Sequence, residues 1–171
     1  YLSNSKAILT HITASRNRAY SSSYLANNTF GKSFSFSSGG GIYIDDSQPI
    51  VTHLKIFGNN IISSAIAPVF VEPASTGAGI FISRSNSTFV NLTISNNDAA
   101  SFSSGNSYSV HGGGIFIEDD SHPTFVNSIV WQNVAVPGPG NEIYLSKDTS
   151  SVTLRHSIVR GGKESGIIKG N

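Results

Sequence analysis

The 171 residues contain no cysteine, which excludes a disulfide framework and any thiolate metal site. Charge is scarce as well: only 12% of residues are charged, about half the usual share for a globular chain, and Lys plus Arg (11) nearly balance Asp plus Glu (10). The basic residues are scattered and form no stripe able to neutralise a row of phosphates, so nucleic acid is not an expected partner. No stretch reaches the roughly 18 apolar residues of a membrane-spanning helix, and insertion of this segment into a bilayer is not expected. The opening residues Tyr1-Leu2-Ser3-Asn4 carry neither an initiator Met nor a signal-peptide pattern, which points to a segment of a longer polypeptide. What the chain has instead is Ser, Asn, Thr and Gly throughout, over a length that suffices for one domain with an ordinary core, residues 1–171.

An internal repeat organises that composition. Gly39-Gly40-Gly41-Ile42-Tyr43-Ile44 aligns with Gly77-Ala78-Gly79-Ile80-Phe81-Ile82, with Gly112-Gly113-Gly114-Ile115-Phe116-Ile117 and with Asn141-Glu142-Ile143-Tyr144-Leu145. After each comes a polar turn and a second apolar strand: Ile50 through Asn59, Thr88 through Asn97, Thr124 through Asn133, and Val152 through Gly162. Ile8 through Asn17 matches that second strand only, so its opening strand is expected to be missing. Successive repeats are offset by 42, 38, 36 and 29 residues. The change falls in one loop, which shortens from Arg18–Ser38 to Asn60–Thr76, Asp98–His111 and Val134–Gly140.

Apolar residues recur at period two, as in Ile42/Ile44, Leu54/Ile56, Leu92/Ile94 and Ile115/Ile117, and Gly and Pro interrupt too often for long helices. Propeller blades would need four antiparallel strands per repeat, and only two or three are evident. The sequence therefore predicts an all-β, right-handed parallel β-helix of about five coils with variable loops at one corner. Columns of the alignment then become ladders, spaced by roughly 4.7–4.9 Å. Leu9, Val51, Phe89, Phe125 and Leu154 are predicted to form one inward stack, and Ala14, Ile56, Ile94, Val130 and Val159 another. Asn17, Asn59, Asn97 and Asn133 form a structural ladder at a turn, where Asn tolerates left-handed backbone and its amide can bond the coils above and below. The glycine clusters are assigned to the opposite corner.

The Gly-Gly-Gly-Ile-Tyr/Phe-Ile run, the Asp-Asp-Ser-x-Pro turn and the Phe-Val-Asn-Ser/Leu strand with its closing Asn resemble the parallel β-helix repeats of bacterial surface and secreted proteins. Polymorphic outer-membrane adhesins and pectate-lyase-like modules are among them. The resemblance implies an extracellular or cell-surface location and either of two functions: a structural or adhesive module, or a fragment of a polysaccharide lyase or glycoside hydrolase. Gly stands here where the adhesin pattern has Ala.

No catalytic residue, cofactor or metal ligand is assigned. Asp45-Asp46 and Glu118-Asp119-Asp120 would suit calcium or acid/base chemistry, but Arg84 and Lys147 fall in the same column, and the alternation predicts an exposed ion-pair ladder. Calcium is therefore not favoured. His11, His53 and His156 share a turn column with Asn91 and Asn127, too dispersed for a metal site, and His111 and His122 are taken as solvated turn residues. No Gly-x-Ser-x-Gly or His-Glu-x-x-His motif is present, and Gly31-Lys32-Ser33 lacks the upstream glycine of a phosphate loop. Sequons begin at Asn27, Asn86 and Asn91. Ice binding would need outward Thr ranks, and Thr10, Thr52 and Thr93 are not expected to share one column.

The loops carry the functional lead. Tyr20, Tyr24, Phe30, Phe34, Phe36, Phe70, Phe102 and Tyr108 are spaced by Ser and Asn, a composition suited to stacking on sugars or meeting a protein. Tyr24, Phe30, Phe34 and Tyr108 are the candidate contacts. The packing expectation is that these loops fold back and bury their rings as a satellite core, with Trp131 beneath one of them.

Overall fold

The computed structural model describes residues 1–24, 32–66, 70–104, 108–162 and 167–169. Strands stack into a parallel β-solenoid with four sheets. The first sheet contains Leu2–Ser3, Ile42–Asp45, Ile80–Ser83, Ile115–Glu118, Ile143–Leu145 and Ile167–Lys169. The opening strand expected to be missing is thus present in short form, with Leu2 opposite Ile44 and Ser3 opposite Asp45. In the second sheet Ile50–Phe57 and Thr88–Ser95 run unbroken, while the strands stacked on them are split into two short pieces each.

The largest departure from expectation is in the variable segments, which are strands. Arg18–Tyr24, Asn60–Ile66, Asp98–Ser103 and Val134–Val136 form a third sheet. Lys32–Ser38, Phe70–Thr76 and Ser109–His111 form a fourth. Among the described residues three turns therefore carry a strand in every sheet, against the five coils expected.

The first two sheets enclose the main core. The second sheet bends where His11, His53, Asn91, Asn127 and His156 adopt φ of 55°, 55°, 57°, 50° and 49°, a left-handed step that reverses the local turn of the chain. Inside, the register pairs Leu9 with Val51, Val51 with Phe89, Phe89 with Phe125 and Phe125 with Leu154. The Phe89 and Phe125 rings stack at 4.7 Å with planes 6° apart and are wholly buried. Each such ring contributes about 2–3 kcal/mol through burial. Ala14, Ile56, Ile94, Val130 and Val159 form the parallel second column.

The third and fourth sheets pack face to face as a thin wing with an inverted pattern. Small residues point inward and aromatics outward. At its base the interior is apolar, with Ile61, Ala78, Ala99, Val110 and Ala135 buried together. Further out it is built of serine: Ser21 Oγ lies 2.7 Å from Ser35 Oγ and 2.9 Å from Ser37 Oγ, and Ser23 Oγ lies 2.6 Å from Ser33 Oγ. Ser63 and Ser75 donate to the carbonyls of Ala74 and Ala100, both at 2.6 Å. A buried hydroxyl that finds both a donor and an acceptor avoids most of the desolvation cost, so serine can serve as core where two sheets approach too closely for larger side chains.

Candidate functional site

The wing leaves the solenoid at a junction made by two residue columns. Asn59 Oδ1 accepts from Asn17 Nδ2 (2.8 Å) and from the Asn17 backbone N–H (3.1 Å). Asn97 Oδ1 does the same for Asn59, and Asn133 Oδ1 for Asn97. Each lower amide also donates to a strand carbonyl: Asn59 to Ala14, Asn97 to Ile56 and Asn133 to Ile94. Left-handed backbone falls one residue earlier than the sequence suggested, at Arg16, Gly58, Asn96 and Gln132. The Asn residues themselves hold the ladder, and the residue before each makes the turn.

The second column is glycine, and it abuts the Asn ladder at this junction, not at an opposite corner. A Cβ on Gly41, Gly79 or Gly114 would stand 2.4–2.6 Å from a carbonyl oxygen of the next coil and 2.9–3.2 Å from an Asn Nδ2. Glu142 takes this column's place in the following coil. Its carboxylate accepts from Asn133 Nδ2 at 2.7 Å, ending the ladder where the second sheet offers Gly162 in place of a further Asn.

On the wing's two flanks the rings face solvent. Tyr20 is 61% exposed, Tyr24 69%, Phe36 63% and Phe102 60%, with Phe34 and Tyr108 nearly half exposed. Among the described residues the satellite core expected from the packing argument is not formed, because serine fills the interior that the rings were expected to occupy. Phe34 and Phe36 lie parallel at 6.2 Å on the fourth-sheet flank; Tyr20, Tyr24 and Phe102 share the third-sheet flank. Of the candidate contacts, Phe30 lies outside the described residues, as does Asn27. Trp131 stands half exposed on the outer face of the second sheet and not beneath a loop.

Asp45 and Asp119 are held in an ion-pair ladder at the end of the first sheet. Arg84 bridges Asp45 and Asp119 (3.6 Å to the latter), and Lys147 reaches Asp119 at 2.5 Å. The hydrogen bond from Lys147 holds the Asp119 carboxyl below its usual range and the Lys147 ammonium above its own. Burial, with help from the Asp119 charge, pushes Glu118 up. These pairs are exposed enough that each contributes little to stability.

On the second sheet a shallow groove is lined by His11, Thr13, His53, Lys55, Asn91 and Thr93. His11 and His53 stack at 4.7 Å, and the Asn91 amide meets His53 Nε2 at 3.2 Å. No carboxylate lines this groove, and among the described residues no group of three His, Cys, Asp or Glu is placed to hold a metal. Thr10 and Thr52 do share a column, but Val90, Val126 and Arg155 continue it, while Thr93 belongs with Thr13 and Lys55.

One feature was missed in the sequence: the middle residue of each Ile-Tyr/Phe-Ile triplet. Tyr43, Phe81, Phe116 and Tyr144 stack on the outer side of the first sheet at 4.6, 5.4 and 5.7 Å, and the last three are buried. His111, at the inner end of the fourth sheet, closes over this stack 4.2 Å from Tyr144 and meets Ser109 Oγ at 3.1 Å, so it is not a solvated turn residue. Burial lowers its pKa from 6.5. The fold holds the neutral ring, so stability is fully present above pH 6.5 and is lost as pH falls toward the lowered value. Urea midpoints at mildly alkaline and mildly acid pH are expected to show this loss, and His111→Gln is expected to reduce it.

Among known families, the one described as "right handed beta helix region" matches residues 17–168. No curated protein and no solved structure matches the chain. The family match supplies the right-handed sense of the solenoid.

Proposed function

The chain belongs to the right-handed β-helix family, and on that footing we propose that it is a non-catalytic module of a secreted or cell-surface bacterial protein. In this reading it is part of a longer polypeptide: the solenoid body gives reach, and the wing contacts a glycan or a surface protein. The observation that carries this is the inverted wing. Tyr20, Tyr24, Phe36 and Phe102 are held outward by strands whose inner side is closed with serine hydrogen bonds. Exposed rings on a rigid support bind with little loss of conformational entropy, which is how Tyr-rich contact surfaces work. A lyase or hydrolase reading would draw on Asp45 and Asp119, whose carboxylates are engaged by Arg84 and Lys147.

The test is a glycan-array and polysaccharide-depolymerisation screen on the 171-residue chain, with calcium and with chelator, beside a variant carrying Tyr24→Ala, Phe34→Ala and Tyr108→Ala. Binding without cleavage that the variant loses is the expected result. Calcium-dependent release of unsaturated or reducing ends would overturn the proposal and return attention to Asp45, Asp46, Asp119 and Asp120.

A further inference from the structure

We propose that the groove on the second sheet is a binding site for a single tetrahedral oxyanion, a sulfate or phosphate group, and that it binds more tightly as the pH falls. The site lies on the solenoid body and uses no residue of the wing, so it goes beyond the wing's proposed role and does not depend on it. Two outward columns line the groove. His11, His53 and Asn91 occupy the left-handed positions of three successive coils; two residues further on stand Thr13, Lys55 and Thr93, in register with one another. Coils are roughly 4.8 Å apart, so the six side chains form an array about 10 Å long centred on the second coil, where His53 and Lys55 lie.

Each of the six side chains has a polar hydrogen to donate, which is the chemistry an oxyanion requires. The imidazoles are held in place by their neighbours. His11 stacks on His53 at 4.7 Å with the ring planes 1° apart, His11 Nδ1 lies 2.8 Å from Thr10 Oγ1, and the Asn91 amide meets His53 Nε2 at 3.2 Å. Each ring therefore has one nitrogen engaged by the protein and a second with which to meet a ligand.

Charge points to an anion. Arg84 and Lys147 are neutralised by Asp45 and Asp119 in the ion-pair ladder, whereas Lys55 makes no ion pair among the described residues. The strands bordering the groove, Ile8–Thr10, Thr13–Ser15, Ile50–Phe57 and Thr88–Ser95, contain no Asp or Glu; their ionisable residues are His53 and Lys55, with His11 between the first two strands. Arg16, which follows Thr13–Ser15, is a further cation. An anion in the groove thus meets positive charge and none of its own sign. An imidazole changes charge between about pH 5 and 8, so acidification adds charge facing the ligand. Asn91 can serve the protonated His53 as well, because its amide turned over presents Oδ1 as an acceptor.

The kind of donor selects among oxyanions. A carboxylate is matched by the planar fork of an arginine, and no arginine lines the groove. Lysine acts as a point charge, and donors spread over two columns and three coils suit oxygens that diverge from one centre, as those of sulfate and phosphate do.

The test titrates the 171-residue chain with sodium sulfate at constant ionic strength, at about pH 5.5 and about pH 8, and follows the imidazole C–H and backbone amide resonances by NMR. Sulfate carries the same charge at both. Acetate is the planar control, and a sulfated oligosaccharide beside its desulfated form distinguishes a sulfate ester on a glycan from the free ion. Expected are saturable shifts centred on His53 and Lys55, affinity about threefold or more higher at the lower pH, weaker binding of acetate, and a loss of about threefold to tenfold in Lys55→Gln. His53→Asn is expected to shrink the pH difference and keep the binding seen at the higher pH. Asn91 holds the same place in the next coil at φ 57°, against 55° for His53, and both His53 and Lys55 are exposed, so each variant is expected to unfold at the parent's urea concentration. Equal affinity at the two pH values would overturn the part given to the imidazoles, and acetate bound as tightly as sulfate would overturn the tetrahedral selection. Shifts that do not saturate, or that are unchanged in Lys55→Gln, would overturn the site itself.

Discussion

Asn97→Ala is expected to cost about 3–5 kcal/mol of folding stability, a large share of the roughly 5–15 kcal/mol typical of a domain. Asn97 is fully buried and stands between two other Asn residues. Removing its side chain leaves the Asn59 backbone N–H and amide without their acceptor and removes the donor to the Ile56 carbonyl. Each orphaned buried group costs about 1–3 kcal/mol, because it gave up water for a partner that is no longer there. Asn17 makes the same bonds downward but is exposed, so Asn17→Ala should cost under about 1 kcal/mol. Urea unfolding of the two variants at constant m-value checks this. Equal, small losses would mean that the ladder is an ornament of the turn and not its support.

Gly79→Ala is expected to be comparably damaging by an opposite route, adding one methyl where no space exists. Its Cβ would stand 2.4 Å from the Gly114 carbonyl oxygen, 2.9 Å from Ile94 Cγ2 and 3.2 Å from Asn97 Nδ2. Two of these belong to the main chain of the next coil and to the ladder, so relief requires separating coils, at about 3 kcal/mol or more. Gly58 provides the contrast. Its φ is +63°, its Cβ would meet only Arg16 Cγ at 3.7 Å, and Asn96 holds the equivalent place in the next coil at φ 54°. Gly58→Asn should therefore be close to neutral. Thermal or urea unfolding of the pair separates steric demand from backbone demand; a neutral Gly79→Ala would show that the coils are spaced more loosely at this corner.

The main solenoid was legible because its columns combine two independent signals, apolar alternation and a recurring offset. Leu9, Val51, Phe89, Phe125 and Leu154 repeat as a class and face inward as a class. The wing was not legible because the usual code is reversed there. In Ser33-Phe34-Ser35-Phe36-Ser37 the period of two is plain, but a hydrophobicity rule assigns Phe to the interior and Ser to the surface. The structure buries the serines because their small size and paired hydroxyls allow two sheets to close on each other. The same reversal hid the exposed rings, leaving only their aromatic content as a functional signal. His111 and the Tyr43–Phe81–Phe116–Tyr144 stack were legible in principle: an aromatic in the outward position of four successive repeats forms a column, and a column of rings needs a cover.

The chain contains no cysteine, so the inverted packing of the wing can be probed directly by thiol labelling. Single variants Ser35→Cys, Ser63→Cys and Ser22→Cys place a thiol at two buried wing positions and one exposed position. The thiol of Ser22→Cys is expected to react at the rate of a free thiol, and those of Ser35→Cys and Ser63→Cys only after denaturant unfolds the chain. Equal labelling of all three in the native protein would contradict it, because a segment that exposes its serines cannot be holding its aromatic rings outward on a closed support.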